Sequence, residues 1–290
     1  MQYYIIYFFR ILILFMNKYI SGFTFILNMI KIGMTQLKPV YDKEMSLKNI
    51  EKYSKIASQN DADLVIFPEY YMSYANNKEE LSKISEEIDG KYMQSLEKIA
   101  KSNDVNIITG INERDGDKIY DTSVYINSHS GFTTKYRKTH LYDAFGYKES
   151  DMYSYGRGPF DIVTVNDIKI GMMICYDIRF PEVVRNYSLQ GADLVVTISG
   201  WFAGPIKEEQ WLNLVSVRAL ENTVFFATSN LVGDKFTGIT SLADPIGIIR
   251  NRCAENEDLI YSIIDKDRLM DVRKTMPLLD QRRPDLYKIR

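Results

Sequence analysis

Two stretches of the chain, "ADLVIFPE" (62 to 69) and "ADLVVTIS" (192 to 199), open on the same four residues and continue with scarcely a polar interruption. A strand that is apolar at every position needs cover on both faces, which is the habit of strands in parallel sheets rather than of half-solvated antiparallel ones. Each stretch follows a segment of helical pattern, and in the first of these Leu47, Ile50, Tyr53, Ser54 and Ala57 share one face of a helix expected over 43–59. The repeated opening hints at an internal duplication. Two similar β/α halves whose strands all require double cover are best satisfied by two sheets packed on each other with helices outside each. The expected fold class is therefore α/β, a four-layer α-β-β-α sandwich.

The rest of the chain alternates in the same way, without a long linker. A buried strand is expected over 30–37, a helix carries Met93, Leu96, Ile99 and Ala100, and a strand follows over 105–113. "IYDTSVYIN" and "FTTKYRK" read as a hairpin around the turn "SHSG", and 161–174 as a second one turning at Asn166 and Asp167. Helices are expected over 181–190 and 206–221, strands over 192–199 and 223–230, and short strands near 237–242, 246–250 and 258–264 ahead of a charged tail. Residues 1–28 differ: their apolar runs are broken by Arg10 and Lys18, and neither run reaches the roughly 18 residues of a spanning helix. The positive charges also fall inside and after the first run, not before it as in a signal peptide. We expect this segment to be an extension from an upstream start codon, in preference to a membrane anchor. Met29 then opens a single domain over 29–290.

Net charge near −2 and the absence of a basic block give no field that would gather nucleic acid or an anionic membrane. The two cysteines, Cys175 and Cys253, are far apart and suggest a reducing, cytoplasmic setting. With two histidines and no Cys-x-x-Cys pair, no metal site and no cofactor are expected.

Three strand ends each offer one reactive group: Glu69 after "LVIFP", Lys138 in "KYRKTHL" and Cys175 at the end of "IKIGMMIC". Singly, each reads most simply as a solvated loop residue or, for the cysteine, as a small core hydrophobe. Together they form a coherent set, because ligand sites of α/β sheets lie beyond the carboxyl ends of strands. A thiol near its ordinary pKa of about 8.5 is little ionised at neutral pH, so a nucleophilic cysteine needs a base, and Glu69 is one. The ammonium of Lys138 and the backbone N–H of Tyr176 are suited to the oxyanion of a tetrahedral intermediate. Pro181 suits a first helical turn, which places Cys175 on a tight strand-to-helix turn.

"FPEY", "YRKTHL" and "ICYDIRFPE", in that order, resemble the three signature segments of the nitrilase or carbon–nitrogen hydrolase superfamily, and the similarity runs from about Met29 to the C-terminus. The resemblance implies a catalytic Glu69-Lys138-Cys175 triad, a thioester intermediate and a nitrilase-like sandwich. Glu149 in "GYKES" matches the family's second glutamate near the lysine; the alternative is a solvated loop acid. "CYDIRFPE" is similar to the omega-amidase and deaminated-glutathione amidase branch, which implies hydrolysis of a small amide rather than a nitrile. Trp201 matches a pocket-wall position, with core packing as the alternative. Arg179 is a candidate for a substrate carboxylate, or else ties its turn to Asp177 or Glu182. His140 is expected to fix local structure, and Cys253 to be a bystander in a polar loop. The chain departs from the family's usual Asn at Asp121, a change expected to alter hydrogen bonding below the lysine loop without touching the triad. The resemblance also implies a homo-oligomer. Competing readings are nitrile or N-carbamoyl hydrolysis, acyl transfer to an amine, and a non-catalytic assembly protein on the same fold.

Overall fold

The computed structural model describes residues 28–287. Apart from Asn28, the N-terminal extension lies outside them. Helix α1 (Lys43–Gln59) has the expected bounds; Asp42 caps it by accepting from the backbone N–H groups of Glu44 and Met45, satisfying donors that a first turn leaves free. Helices α2 (Lys78–Ile84), α3 (Lys91–Asn103), α4 (Pro181–Leu189), α5 (Lys207–Leu220) and α6 (Lys266–Thr275) follow. The main strands are β1 (Met29–Gln36), β2 (Leu64–Ile66), β3 (Asn106–Asp115), β4 (Lys118–Asn127), β5 (Gly131–Arg137), β6 (Ile162–Val165) and β7 (Ile168–Ile174). After them come β8 (Leu194–Ser199), β9 (Phe225–Asn230), β10 (Ser241–Ala243), β11 (Ile249–Arg252) and β12 (Asp258–Asp265).

These strands make two six-stranded sheets, ordered β12-β1-β2-β3-β4-β5 and β11-β10-β9-β8-β7-β6. In each, three central strands run parallel: β1, β2 and β3 in the first, β7, β8 and β9 in the second. The apolar strands are covered on both sides, as their composition requires. Leu64 and Ile66 point into the core between the sheets, whereas Val65 and Phe67 join the core under α1 and α3. The expected four-layer α/β sandwich is the observed one.

The repeated Ala-Asp-Leu-Val segments occupy equivalent places. The Asp63 N–H donates to the Lys31 carbonyl at 2.8 Å while its carboxylate accepts from the Lys31 N–H at 2.7 Å. Asp193 repeats this on Lys169, at 2.8 and 2.9 Å. Each aspartate thus ends its own strand's pairing with a side chain, which is why β2 starts at Leu64 and β8 at Leu194 rather than at the preceding alanines. β2 is also shorter than its apolar run at the other end, because Pro68 has no N–H to donate.

Two helices were not expected. α2 is short and polar with only Leu81 buried, so its apolar signal is weak; Asn77 caps it. α6 replaces the expected charged tail: Asp265 accepts from the Asp267 and Arg268 N–H groups, and Leu269 and Val272 face the interior. The turn at Asn166 and Asp167 is as expected, with both residues at positive φ, as a two-residue hairpin of this hand requires. Among the described residues, no helix is long and apolar enough to cross a membrane.

Gly171 in β7 marks the tightest contact between sheet and helix. A Cβ there would lie 2.5 Å from ring carbons of Tyr187 on α4, whose hydroxyl is bonded to the Met172 carbonyl. Gly171→Ala is expected to lower unfolding free energy by about 1–3 kcal/mol, the usual range for overpacking. Denaturant titration checks this, and an unchanged midpoint would show that the ring yields.

Candidate active site

Glu69 follows β2, Lys138 follows β5 and Cys175 follows β7; the pairing directions put the ends of β2 and β5 on the same side of the first sheet, and Lys138 and Cys175 line one cleft. Lys138 is buried, and its Nζ donates to Glu69 Oε1 at 2.7 Å and to Glu149 Oε1 at 2.8 Å. Glu149 sits in a 3-10 turn after a two-residue hairpin and is buried, not a solvated loop acid. Its carboxylate also accepts from the Tyr70 hydroxyl and, at 2.6 Å, from the Tyr142 N–H. The second oxygen of Glu69 accepts from the Gly200 N–H at the end of β8. Gly110 in β3 lets this loop sit close: a Cβ there would be 2.9 Å from the Tyr70 nitrogen.

Burial alone would push the Lys138 ammonium toward neutrality, but Glu149, Glu69 and Asp121 outweigh it and hold its pKa well above the usual value. Burial, then Glu69, pushes the Cys175 thiol well up; Lys138 acts the other way. Cys175 has φ of +42°, a left-handed conformation uncommon for a side chain of this kind, at the head of the 3-10 turn Cys175–Arg179. Cys253, although in a loop as expected, is buried, and burial pushes its thiol up to about 12.

A small cleft lies against Cys175; Lys138, Glu149, Tyr176, Trp201 and Lys207 are among its other lining residues. Trp201 does both things proposed for it, lining the cleft and packing on Trp211 at 5.0 Å between ring centroids. Arg179 corrects one alternative: it pairs with neither Asp177 nor Glu182. Its guanidinium donates to Gln210 Oε1 at 3.0 Å and lies over the Trp201 and Tyr176 rings, toward the cleft wall.

Asp177 performs a different task. It is buried and accepts from Tyr136 Oη, Thr139 Oγ1, the His140 N–H and the Ile174 N–H, with His140 Nδ1 2.7 Å away. This one carboxylate therefore ties the lysine loop of one sheet to the cysteine turn of the other, and His140 is structural, as expected. Asp121 overturns its expectation. It lies 3.4 Å from Lys138 Nζ and within 4.8 Å of a Glu69 carboxylate oxygen, because residue 121 in β4 faces the lysine loop, its carbonyl accepting the Lys138 N–H at 2.9 Å. Oxygens of Glu69, Asp121 and Glu149 lie within 4.8 Å of one another, a spacing that could hold a cation; the Lys138 ammonium is the cation among them.

Tyr70, Tyr142, Gly200 and Lys207 escaped sequence reasoning. Tyr70 was discoverable as the neighbour of Glu69, whereas Lys207 heads a helix with two glutamates and looks solvated. In the structure its ammonium lies over the rings of Phe145, Tyr142 and Trp201.

The carbon–nitrogen hydrolase family model matches residues 31–274. A deaminated glutathione amidase of Escherichia coli O157:H7 is 31% identical over 229 residues, covering 78% of this chain and 87% of that protein. An omega-amidase of Xenopus tropicalis is 31% identical over 258 residues, covering 85% and 92%. Among solved structures, Nit3 of Saccharomyces cerevisiae, a member of branch 10 of the nitrilase superfamily, superposes with a TM-score of 0.80 at 28% identity, covering 90% of this chain and 100% of that one.

Removing the Asp177 carboxylate strands several buried donors at once. Asp177→Ala is expected to destabilise the protein by about 3 kcal/mol or more, since each orphaned buried donor costs about 1–3 kcal/mol. Thermal or denaturant unfolding measures it; a loss below about 1 kcal/mol would mean the two loops are held together by other contacts.

Proposed function

The chain belongs to the carbon–nitrogen hydrolase family, acting on carbon–nitrogen bonds other than peptide bonds, and we propose that it is an amidase that works through Cys175, Glu69 and Lys138, with Glu149 holding the lysine. The observation that carries this reading is the buried ammonium of Lys138 fixed between the Glu69 and Glu149 carboxylates beside the sulfur at the foot of a small cleft.

The protonation of the resting thiol sets the first step. With its pKa raised by burial and by Glu69, Cys175 is a thiol that must lose its proton as it attacks, and Glu69 takes it. The sulfur bonds to the amide carbon, and the carbonyl oxygen becomes an oxyanion beside Lys138 and the Tyr176 N–H, which lies in a first turn where N–H groups lack intrahelical acceptors. Glu69 returns the proton to the nitrogen as the carbon–nitrogen bond breaks, and ammonia leaves a thioester. Glu69 then takes a proton from water as the hydroxide adds to the thioester carbon, and returns that proton to the sulfur as the carbon–sulfur bond breaks, which releases the carboxylic acid and restores both the thiol and the Glu69 carboxylate.

Two cations have no carboxylate partner among the described residues: Lys207, which lines the cleft, and Arg179, which lies over the rings of two of its wall residues, Tyr176 and Trp201. A substrate that itself carries a carboxylate, such as an ω-amide of a dicarboxylic acid or deaminated glutathione, would complete them, with Tyr176 and Trp201 as walls; the likeness to a deaminated glutathione amidase and an omega-amidase supports that choice. Self-association is part of the proposal, supported by exposed Leu189 on α4 and Val217 and Leu220 on α5. A cytoplasmic setting accords with two free cysteines.

The test is ammonia release from a panel of ω-amides, deaminated glutathione, N-carbamoyl compounds and nitriles. Wild type is expected to prefer carboxylate-bearing amides, and Cys175→Ala to lose at least ~10³-fold in turnover. Lys207→Met is expected to raise KM for carboxylate-bearing amides about 10-fold, the loss of one charge-assisted hydrogen bond, with a smaller effect on uncharged amides. Near-native turnover by Cys175→Ala would reject the nucleophile, and a nitrile preference would reject the substrate class.

A further inference from the structure

The three carboxyl groups around Lys138 are unequal in their donors. Glu69 accepts from Lys138 on one oxygen and from the Gly200 N–H on the other. Glu149 accepts from Lys138, Tyr70 and the Tyr142 N–H. Asp121 is buried just as deeply, yet neither of its oxygens accepts a hydrogen bond from any donor among the described residues; the Lys138 ammonium is 3.4 Å away but its hydrogen bonds go to the two glutamates. An ionised carboxylate sealed from water, with an ammonium 3.4 Å away but no hydrogen bond from it, is costly to bury. A neutral carboxylic acid in the same place needs one acceptor, and a Glu69 carboxylate oxygen lies within 4.8 Å.

We propose that Asp121 is a proton-carrying positioning residue, present as the neutral acid and donating its Oδ–H as a hydrogen bond to the Glu69 carboxylate. The proton belongs on Asp121 rather than Glu69 because both Glu69 oxygens already receive N–H donors, which an acid O–H on Glu69 would oppose. Charge points the same way: one ammonium faces three carboxyl groups, so full ionisation would leave two surplus negative charges where a thiolate and an oxyanion must form. A single proton on Asp121 halves that surplus. Burial and the Glu69 carboxylate both strengthen Asp121's hold on its proton. The consequence for turnover rests on the reading of Glu69 as the base: the acid fixes the Glu69 carboxylate from a third side without adding charge to the site.

The proposal is tested by infrared spectroscopy at neutral pH on protein carrying ¹³C-carboxyl aspartate, together with kinetics of two variants. Wild type and Cys175→Ala are both expected to show a protonated-acid carbonyl band that shifts with the label and is absent from Asp121→Asn. Asp121→Asn, whose amide donates in place of the acid, is expected to keep kcat within about 3-fold, whereas Asp121→Ala loses about 10-fold or more in kcat with KM little changed, as a loosened base would. A wild-type spectrum without the labelled acid band, or a band that survives in Asp121→Asn, overturns the protonation state. An Asp121→Asn enzyme as slow as Asp121→Ala overturns the donor role. Because the band is read in an inactive variant too, failure of this proposal is distinct from failure of the amidase reading.

Discussion

A buried ammonium is the condition to which the rest of this molecule answers. Lys138 is as secluded as the apolar residues around it, and a lone charge in that position would be several kcal/mol unfavourable. Glu69 and Glu149 meet it at 2.7 and 2.8 Å, and each is in turn held by backbone N–H groups from other loops, Gly200 and Tyr142. Those loops follow β8 of one sheet and β5 of the other, so the packing of the two sheets decides where they meet. The electrostatics of one side chain thus depend on the layer architecture, and the layer architecture depends on strands apolar enough to be buried on both faces.

Polar contacts add to the apolar core at the seam between the sheets. The Ser229 Oγ of β9 donates to the Thr35 carbonyl of β1 at 2.6 Å, and Asp177 gathers donors from the lysine loop and the cysteine turn. The positive φ of Cys175 persists because this surrounding network over-determines the turn. The cleft opens onto this sulfur, and Tyr176 and Trp201 form part of its wall.

Much of this was legible in the chain. The doubly apolar strands announced the sandwich, helix α1 was read to the residue, and Glu69, Lys138, Cys175 and Glu149 gather at one cleft. What escaped was set by distance in space, not by residue type. Asp121 looked harmless since nothing in "IYDTS" says that its carboxyl faces a lysine 17 residues on across a hairpin; its contact depends on the register that pairs Thr122 with Arg137. Lys207, in a run of charges, gave no sign that three rings lie beneath its ammonium. Asp177 was offered as a partner for Arg179, but the deeper and better-supplied donors of the lysine loop claim it instead. Helices α2 and α6 were missed because each buries so few apolar side chains that capping, not periodicity, defines it.

The central claim is that the sulfur of Cys175 forms the covalent bond to substrate. Acid quenching within the first turnover of a carboxylate-bearing amide, followed by intact-mass and peptide mass spectrometry, reads that bond directly. The account predicts an added mass equal to the substrate acyl group, confined to the peptide that contains Cys175. An acyl group on any other residue, or ammonia released in the first turnover with the cysteine unmodified at every quench time, would contradict it.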